Sequence, residues 1–144
     1  MTLRYIPVRA DLLKTIQEDG NPQRQFTESI GAGEVLIIDA RGTTASATIG
    51  NILTTRVQMS GAAGIVSDGC FRDSPAIAAI NFPTYARGRH AGMNTSALFP
   101  ADINVPIGCG GVAVVPGDVI VGDAEGVIVI PYSIVEEVSA DAAA

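Results

Sequence analysis

The sequence predicts a mixed α/β domain, a sheet with parallel and antiparallel pairing flanked by helices. Three observations lead there. Val35-Leu36-Ile37-Ile38 is a continuous apolar run, as expected of a strand buried on both faces. Ile49, Ile52, Leu53 and Val57 recur at helical spacing within residues 48–60. Residues 105–131 carry short valine- and isoleucine-rich runs separated by turn signals.

Taken in order, residues 3–8 read as a short strand ending at Pro7. Residues 11–30 are polar and broken at Gly20-Asn21-Pro22, with Leu12, Leu13 and Ile16 on one helical face. Gly31 to Gly33 make a turn into the Val35–Ile38 strand. The helix over 48–60 takes Gly61 as its C-terminal cap. A strand at 64–67 follows, then a helix at 74–80 with Pro75 in its first turn, then a strand at 83–87. Residues 88–104 read as irregular. Val112–Val115, Val119–Val121 and Val127–Ile130 form a β-meander, turning at Pro116-Gly117-Asp118 and Asp123-Ala124-Glu125-Gly126. A last helix spans 133–140. The whole chain, 1–144, reads as one domain without repeats or low-complexity linkers.

Composition narrows the function classes. Hydrophobic residues make up 47% and charged residues 17% of the 144 positions. That apolar excess needs a two-sided sheet or a subunit interface to cover it, so a homo-oligomer is expected. The net charge is −6, and Lys14 is the one lysine among scattered arginines, so nucleic acid is not an expected partner. Cys70 and Cys109 read as reduced, buried thiols rather than a bridge. The start of the chain has no apolar signal segment, and no apolar run approaches the ~18 residues of a membrane helix. The expected compartment is the cytoplasm.

Several chemistries fit poorly. Lys14 lies in a polar stretch, unsuited to a Schiff base. One histidine and two distant cysteines make a poor zinc site. His90 reads as a solvated loop histidine, which argues against both a Ser-His-Asp triad and a phosphocarrier role. Gly108-Cys109-Gly110-Gly111 precedes a strand, so it reads as a tight bend rather than a phosphate cradle. Asp118, Asp123 and Glu125 read as solvated turn carboxylates.

What remains is Arg72-Asp73. Alone it reads as a salt-bridged loop pair, but two neighbours shift the balance. Asp68-Gly69 reads as a sharp turn at a strand's end, where α/β folds build their sites. Gly50-Asn51-Ile52-Leu53 reads as a helix opening whose free amides can seat a carboxylate. A bidentate arginine facing that helix start suits a small 2-oxo acid. Asp73 offers one oxygen to Mg²⁺, waters completing the shell.

These residues resemble the RraA-like family, which includes the regulator of ribonuclease activity A and the class II 4-hydroxy-4-methyl-2-oxoglutarate / 4-carboxy-4-hydroxy-2-oxoadipate aldolases. The resemblance is strongest over 33–131. Its signposts are Gly33 to Gly42, Gly50 to Leu53, Gly61 to Asp73, Phe82 to Gly88, Val105 to Gly111, Pro116 to Asp118 and Asp123 to Pro131. It implies a swivelling β/β/α domain, assembled as a trimer or hexamer with active sites between subunits. It also implies a lyase that cleaves 4-hydroxy-2-oxo diacids to pyruvate and decarboxylates oxaloacetate. By position, Arg72 would grip the pyruvoyl group and Asp73 would ligate Mg²⁺, Mn²⁺ or another divalent cation. The amides of Gly50, Asn51, Ile52 and Leu53 would complete the seat.

Two departures qualify this. Asn51 stands where the aldolases carry an acid, and an amide cannot serve as a base. The family's usual helical segment before the first strand does not appear in this sequence, so it reads as a shortened paralogue or as a chain whose start lies upstream. The alternative is a non-catalytic binding protein like the ribonuclease regulator, with a protein partner. The regulator branch lacks the aspartate matched here by Asp73.

Overall fold

The computed structural model describes residues 1–14 and 20–144. The chain is a mixed α/β domain with a curled six-stranded sheet and flanking helices. Its first half comprises β1 (Thr2–Pro7), α1 (Pro22–Ser29), β2 (Val35–Asp39), β3 (Ala47–Ile49), α2 (Asn51–Met59) and β4 (Gly64–Phe71). The second comprises α3 (Ser74–Ala79), β5 (Thr84–Arg89), β6 (Leu98–Ile103), β7 (Ile107–Cys109), β8 (Val112–Val114), β9 (Val119–Gly122), β10 (Val127–Ile130) and α4 (Val135–Ala142). The helical face anticipated at Leu12, Leu13 and Ile16 runs into residues 15–19, which lie outside those described.

β2 shows why an unbroken apolar run marks a central strand. Leu36 and Ile38 point into the main core with Leu3, Tyr5, Phe26, Val57 and Ile65. Ile37, one residue out of phase, points to the opposite face and packs with Ile107 and Val114 of the hairpin strands. Both faces of β2 are therefore covered, as the run predicts.

β4 organises the sheet. β5 runs parallel along one edge, pairing both at Ile65–Ser67 and at Cys70–Phe71. A strand has only two edges, so β2 and β3 must share the other. β2 pairs with Gly64–Ser67 and β3 with Cys70–Phe71. β1 lies parallel to β2, and β6 closes that side antiparallel to β1.

Several expectations are corrected. β4 runs on to Phe71, so Asp68-Gly69 is strand interior, not a turn. The reason is local. The Asp68 carboxylate replaces ladder bonds where β2 has ended and β3 has not begun. It accepts from the amides of Ala40 (2.7 Å), Gly42 (2.9 Å) and Gly110 (3.3 Å). Gly69 lets the β2–β3 connection cross close by, since a Cβ there would lie 2.5 Å from that of Ala40.

Ile49 belongs to β3, not to a helix, and Ile52 is 75% exposed. Only the later part of the 48–60 pattern is helical. Gly61 ends that helix with φ +81°, as anticipated. Residues 88–104 are not irregular throughout, because β6 pairs with β1 from Leu98 to Ile103. Its Pro100 is tolerated on an edge strand. The expected meander is two separate hairpins. β7 and β8 turn on Gly110 (φ +61°) and Gly111 (φ +84°), the tight two-residue turn that glycines allow. β9 and β10 form the second hairpin. Both cysteines are free, but only Cys70 is buried, while Cys109 is half-buried. Among the described residues no helix is long and apolar enough to cross a membrane.

Two predictions follow from this packing. Asp68→Ala strands three backbone donors and should cost about 3 kcal/mol of stability in urea unfolding, with Asp68→Asn intermediate. Wild-type stability in Asp68→Ala would refute the handover role. The second concerns Cys109, whose Sγ lies 3.6 Å from the Ile38 carbonyl. Burial, reinforced by the Asp68 carboxylate, pushes its thiol from 9.0 up to about 11. The folded state thus holds this proton more tightly. The resulting stability is intact below pH 9.0 and lost as pH rises through about 11. Alkylation of native Cys109 at pH 8 should be roughly a hundredfold slower than in urea. Equal rates would refute a raised thiol.

Candidate functional site

The site forms where β3 and β4 end side by side. The Arg72 amide donates to the Ile49 carbonyl at 3.0 Å, so the chain leaving β4 stays beside the Gly50 entry to α2. Gly50 is extended (φ −123°, ψ −176°), a backbone any residue adopts. Its requirement is space. A Cβ there would lie 2.5 Å from Asp73 Oδ2 and 2.7 Å from Arg72 Nε. The missing side chain lets Arg72 and Asp73 close over the start of α2.

Asp73 is left-handed (φ 57°, ψ 31°), a conformation aspartate tolerates better than most residues. It precedes α3, yet its side chain does not cap that helix. Its carbonyl accepts from Ala76 and Ile77, while Oδ2 accepts from the Asn51 amide of α2 at 3.2 Å. The carboxylate therefore faces the first turn of a different helix, where the macrodipole favours negative charge.

Arg72 Nε lies 3.6 Å from Asp73 Oδ2, with both side chains more than a third exposed. Among the described residues the Arg72 guanidinium donates no hydrogen bond. The amides of Ile52 and Leu53 also have no partner there, because they open α2. Arg72, Asp73 and the Gly50-to-Leu53 turn thus lie together, but the Asn51 amide expected in the seat is taken by Asp73. Ile52 is 75% exposed, yet it lines the same small cavity as Gly50, Leu53 and Arg72.

Arg72 is a wall between two cavities. One, of about 100 Å³, is lined by Gly50, Leu53, Thr48, Gln23 and Asn94. Gln23 Nε2 donates to the Thr48 carbonyl (2.8 Å) and the Tyr5 hydroxyl (2.9 Å), and Asn94 Nδ2 lies 3.3 Å from Gln23 Oε1. Burial pushes the Tyr5 phenol up, keeping it a neutral hydrogen-bonding group. Gln23 and Asn94 carry no sequence signal, because tertiary contact alone brings them together.

The second cavity, about 260 Å³ and open, is lined by Asp73, Ser74, Arg89 and His90 as well as Arg72. His90 is not the solvated loop residue that was expected. It follows β5, half-buried, with its amide donating to the Phe71 carbonyl at 3.0 Å. Its Nδ1 accepts from the Gly92 amide at 2.9 Å. The clue was its place just beyond a strand parallel to β4.

The donor set suits one kind of metal. Among the described residues no three His, Cys, Asp or Glu side chains cluster, which disfavours a zinc-type cage. A single half-exposed carboxylate fits Mg²⁺, which keeps most of its waters. Asp73 Oδ1 accepts no hydrogen bond among the described residues and is the oxygen that could serve.

Fold and site together define an α/β domain with an arginine–aspartate pair seated on a helix N-terminus. The chain belongs to the RraA-like (Aldolase/RraA) family, whose sequence profile matches residues 3–129. It is similar to a protein of Halalkalibacterium halodurans provisionally named 4-hydroxy-4-methyl-2-oxoglutarate aldolase. The two are 46% identical over 99 residues, 69% of this chain and 47% of the relative. A protein of the same provisional name from Ectopseudomonas mendocina is 34% identical over 117 residues, 81% of this chain and 72% of its own. Among solved structures, Streptomyces coelicolor RraAS2 matches with a TM-score of 0.87 and 32% identity, over 98% of this chain and 67% of its own. It is described as an unusual member of the RNase ES inhibitor RraA protein family. The chain thus spans about half the length of the Halalkalibacterium relative.

Gly50→Ala tests the steric basis of this geometry. It should leave the melting temperature within a few degrees while displacing the Arg72 and Asp73 side chains in a crystal structure. Unmoved side chains would refute the close-approach requirement.

Proposed function

We propose that this chain is a divalent-metal-dependent lyase. It would cleave 4-hydroxy-2-oxo diacids of the 4-hydroxy-4-methyl-2-oxoglutarate type to pyruvate, and decarboxylate oxaloacetate. The observation that carries this reading is the convergence of Gly50, Arg72 and Asp73 at the start of α2. The relatives' provisional names support it.

In this reading Arg72 binds the 2-oxo acid through its carboxylate and ketone oxygens. The free amides of Ile52 and Leu53 face the same carboxylate. C–C cleavage and loss of CO₂ both leave the pyruvate enolate. The Arg72 guanidinium stabilises the charge that grows on its oxygen. A divalent cation on Asp73 would supply Lewis-acid stabilisation of the same charge.

Aldol cleavage also requires removal of the 4-hydroxyl proton, which the Asn51 amide cannot accept. Decarboxylation needs no such base, so oxaloacetate is the first substrate to test. We place the protein in the cytoplasm as a trimer or hexamer. Exposed Val112, Val115, Val119, Val121 and Ile128 on the two hairpins support assembly.

A second reading is a non-catalytic regulator that binds a protein partner. Asn51 favours it, as does the likeness to a member of an RNase inhibitor family.

The test is Mg²⁺-dependent pyruvate release from oxaloacetate, after subtracting decarboxylation by free Mg²⁺. Wild type should lose activity when the metal is chelated. Arg72→Ala and Asp73→Ala should each lose about a hundredfold or more. Full turnover by either variant would overturn the lyase reading. Wild-type release no greater than that of Asp73→Ala would favour the regulator.

A further inference from the structure

We propose that Arg89 and His90 form a second anion subsite, which takes the distal carboxylate of a dicarboxylic 2-oxo acid. The inference rests on the lyase reading and adds what selects the substrate. Parallel pairing places Arg89 opposite Phe71, so β5 delivers Arg89 and then His90 alongside Arg72. All three line the open cavity of about 260 Å³ on the Asp73 side of Arg72. Arg72 also lines the helix-start cavity. A ligand held at Arg72 by its 2-oxo acid end can therefore extend toward Arg89.

The chemistry of the walls selects what extends there. Arg89 is exposed and makes no ion pair or hydrogen bond among the described residues, so its donors are available. In the observed geometry, acceptance from Gly92 at Nδ1 leaves Nε2 as the nitrogen that carries the ring proton. His90 is thus a hydrogen-bond donor even when neutral. Gly92 fixes the ring closely, since a Cβ there would lie 2.9 Å from His90 Cε1. With Arg72, Arg89 and one carboxylate, Asp73, the lining is cationic on a chain of net charge −6. A planar guanidinium beside an N–H donor fits a carboxylate.

The test is calorimetric titration with Mg²⁺ present, using pyruvate as the monoacid probe and 2-oxoglutarate as an unreactive diacid probe. Wild type should bind both, the diacid more tightly. Arg89→Gln should weaken 2-oxoglutarate about tenfold or more and leave pyruvate within about twofold. His90→Leu should act in the same direction with a smaller loss. Equal losses for both acids, or no loss in Arg89→Gln, would overturn the subsite. Wild type that binds pyruvate but gains nothing from the second carboxylate would overturn the subsite and leave the lyase reading standing. Wild type that binds neither acid would overturn both.

Discussion

Everything in this fold depends on how one edge of β4 passes from β2 to β3. At that changeover the strand has no backbone partner for its ladder. The Asp68 carboxylate fills the gap by gathering amides from the connecting segment and from the tip of the first hairpin. Gly69 lets that segment cross against the strand. Because the changeover succeeds, β4 continues to Phe71 and carries Arg72 and Asp73 to the level where α2 begins. If β4 stopped at Ser67, the arginine and the helix start would not meet.

The site is then made by redirecting a cap. An aspartate before a helix ordinarily bonds its own first turn. Here the left-handed backbone of Asp73 turns its carboxylate to the neighbouring helix, and its carbonyl serves α3 instead. One residue thus joins two helix starts and leaves one carboxylate oxygen uncommitted. Its partner Arg72 is held near enough for ion pairing, and among the described residues no hydrogen bond occupies its guanidinium.

How much of this was legible depended on whether the signal was local. The double burial of β2 could be read because an apolar run without alternation leaves no polar face for solvent. The 110–111 bend and the Gly61 cap could be read because positive φ selects glycine. β6 was hidden by Pro100 and Asp102, which weaken any strand pattern. β3 was hidden because three residues are too few to show a period, and Ile49 falls by chance in phase with the helix after it. The convergence of Gly50 with Arg72 and Asp73 was legible from strand-end logic and family resemblance. The strand-end logic itself is corrected in one respect, because Asp68-Gly69 extends the strand rather than ending it. Gln23 and Asn94 were not legible near the site, since only the folded chain brings them near Arg72.

The position of β1 has a consequence for biosynthesis. This strand precedes β2 in the chain, yet it lies inside the sheet between β2 and β6, and β6 ends at residue 103. While the ribosome is still making the middle of the protein, β1 can pair along only one edge. Its other edge stays open until β6 has been made and has cleared the exit tunnel. Pairings this distant in sequence close slowly and leave an unpaired strand edge exposed meanwhile. The nascent chain is most open to misassociation in that interval, before the strand that seals it arrives.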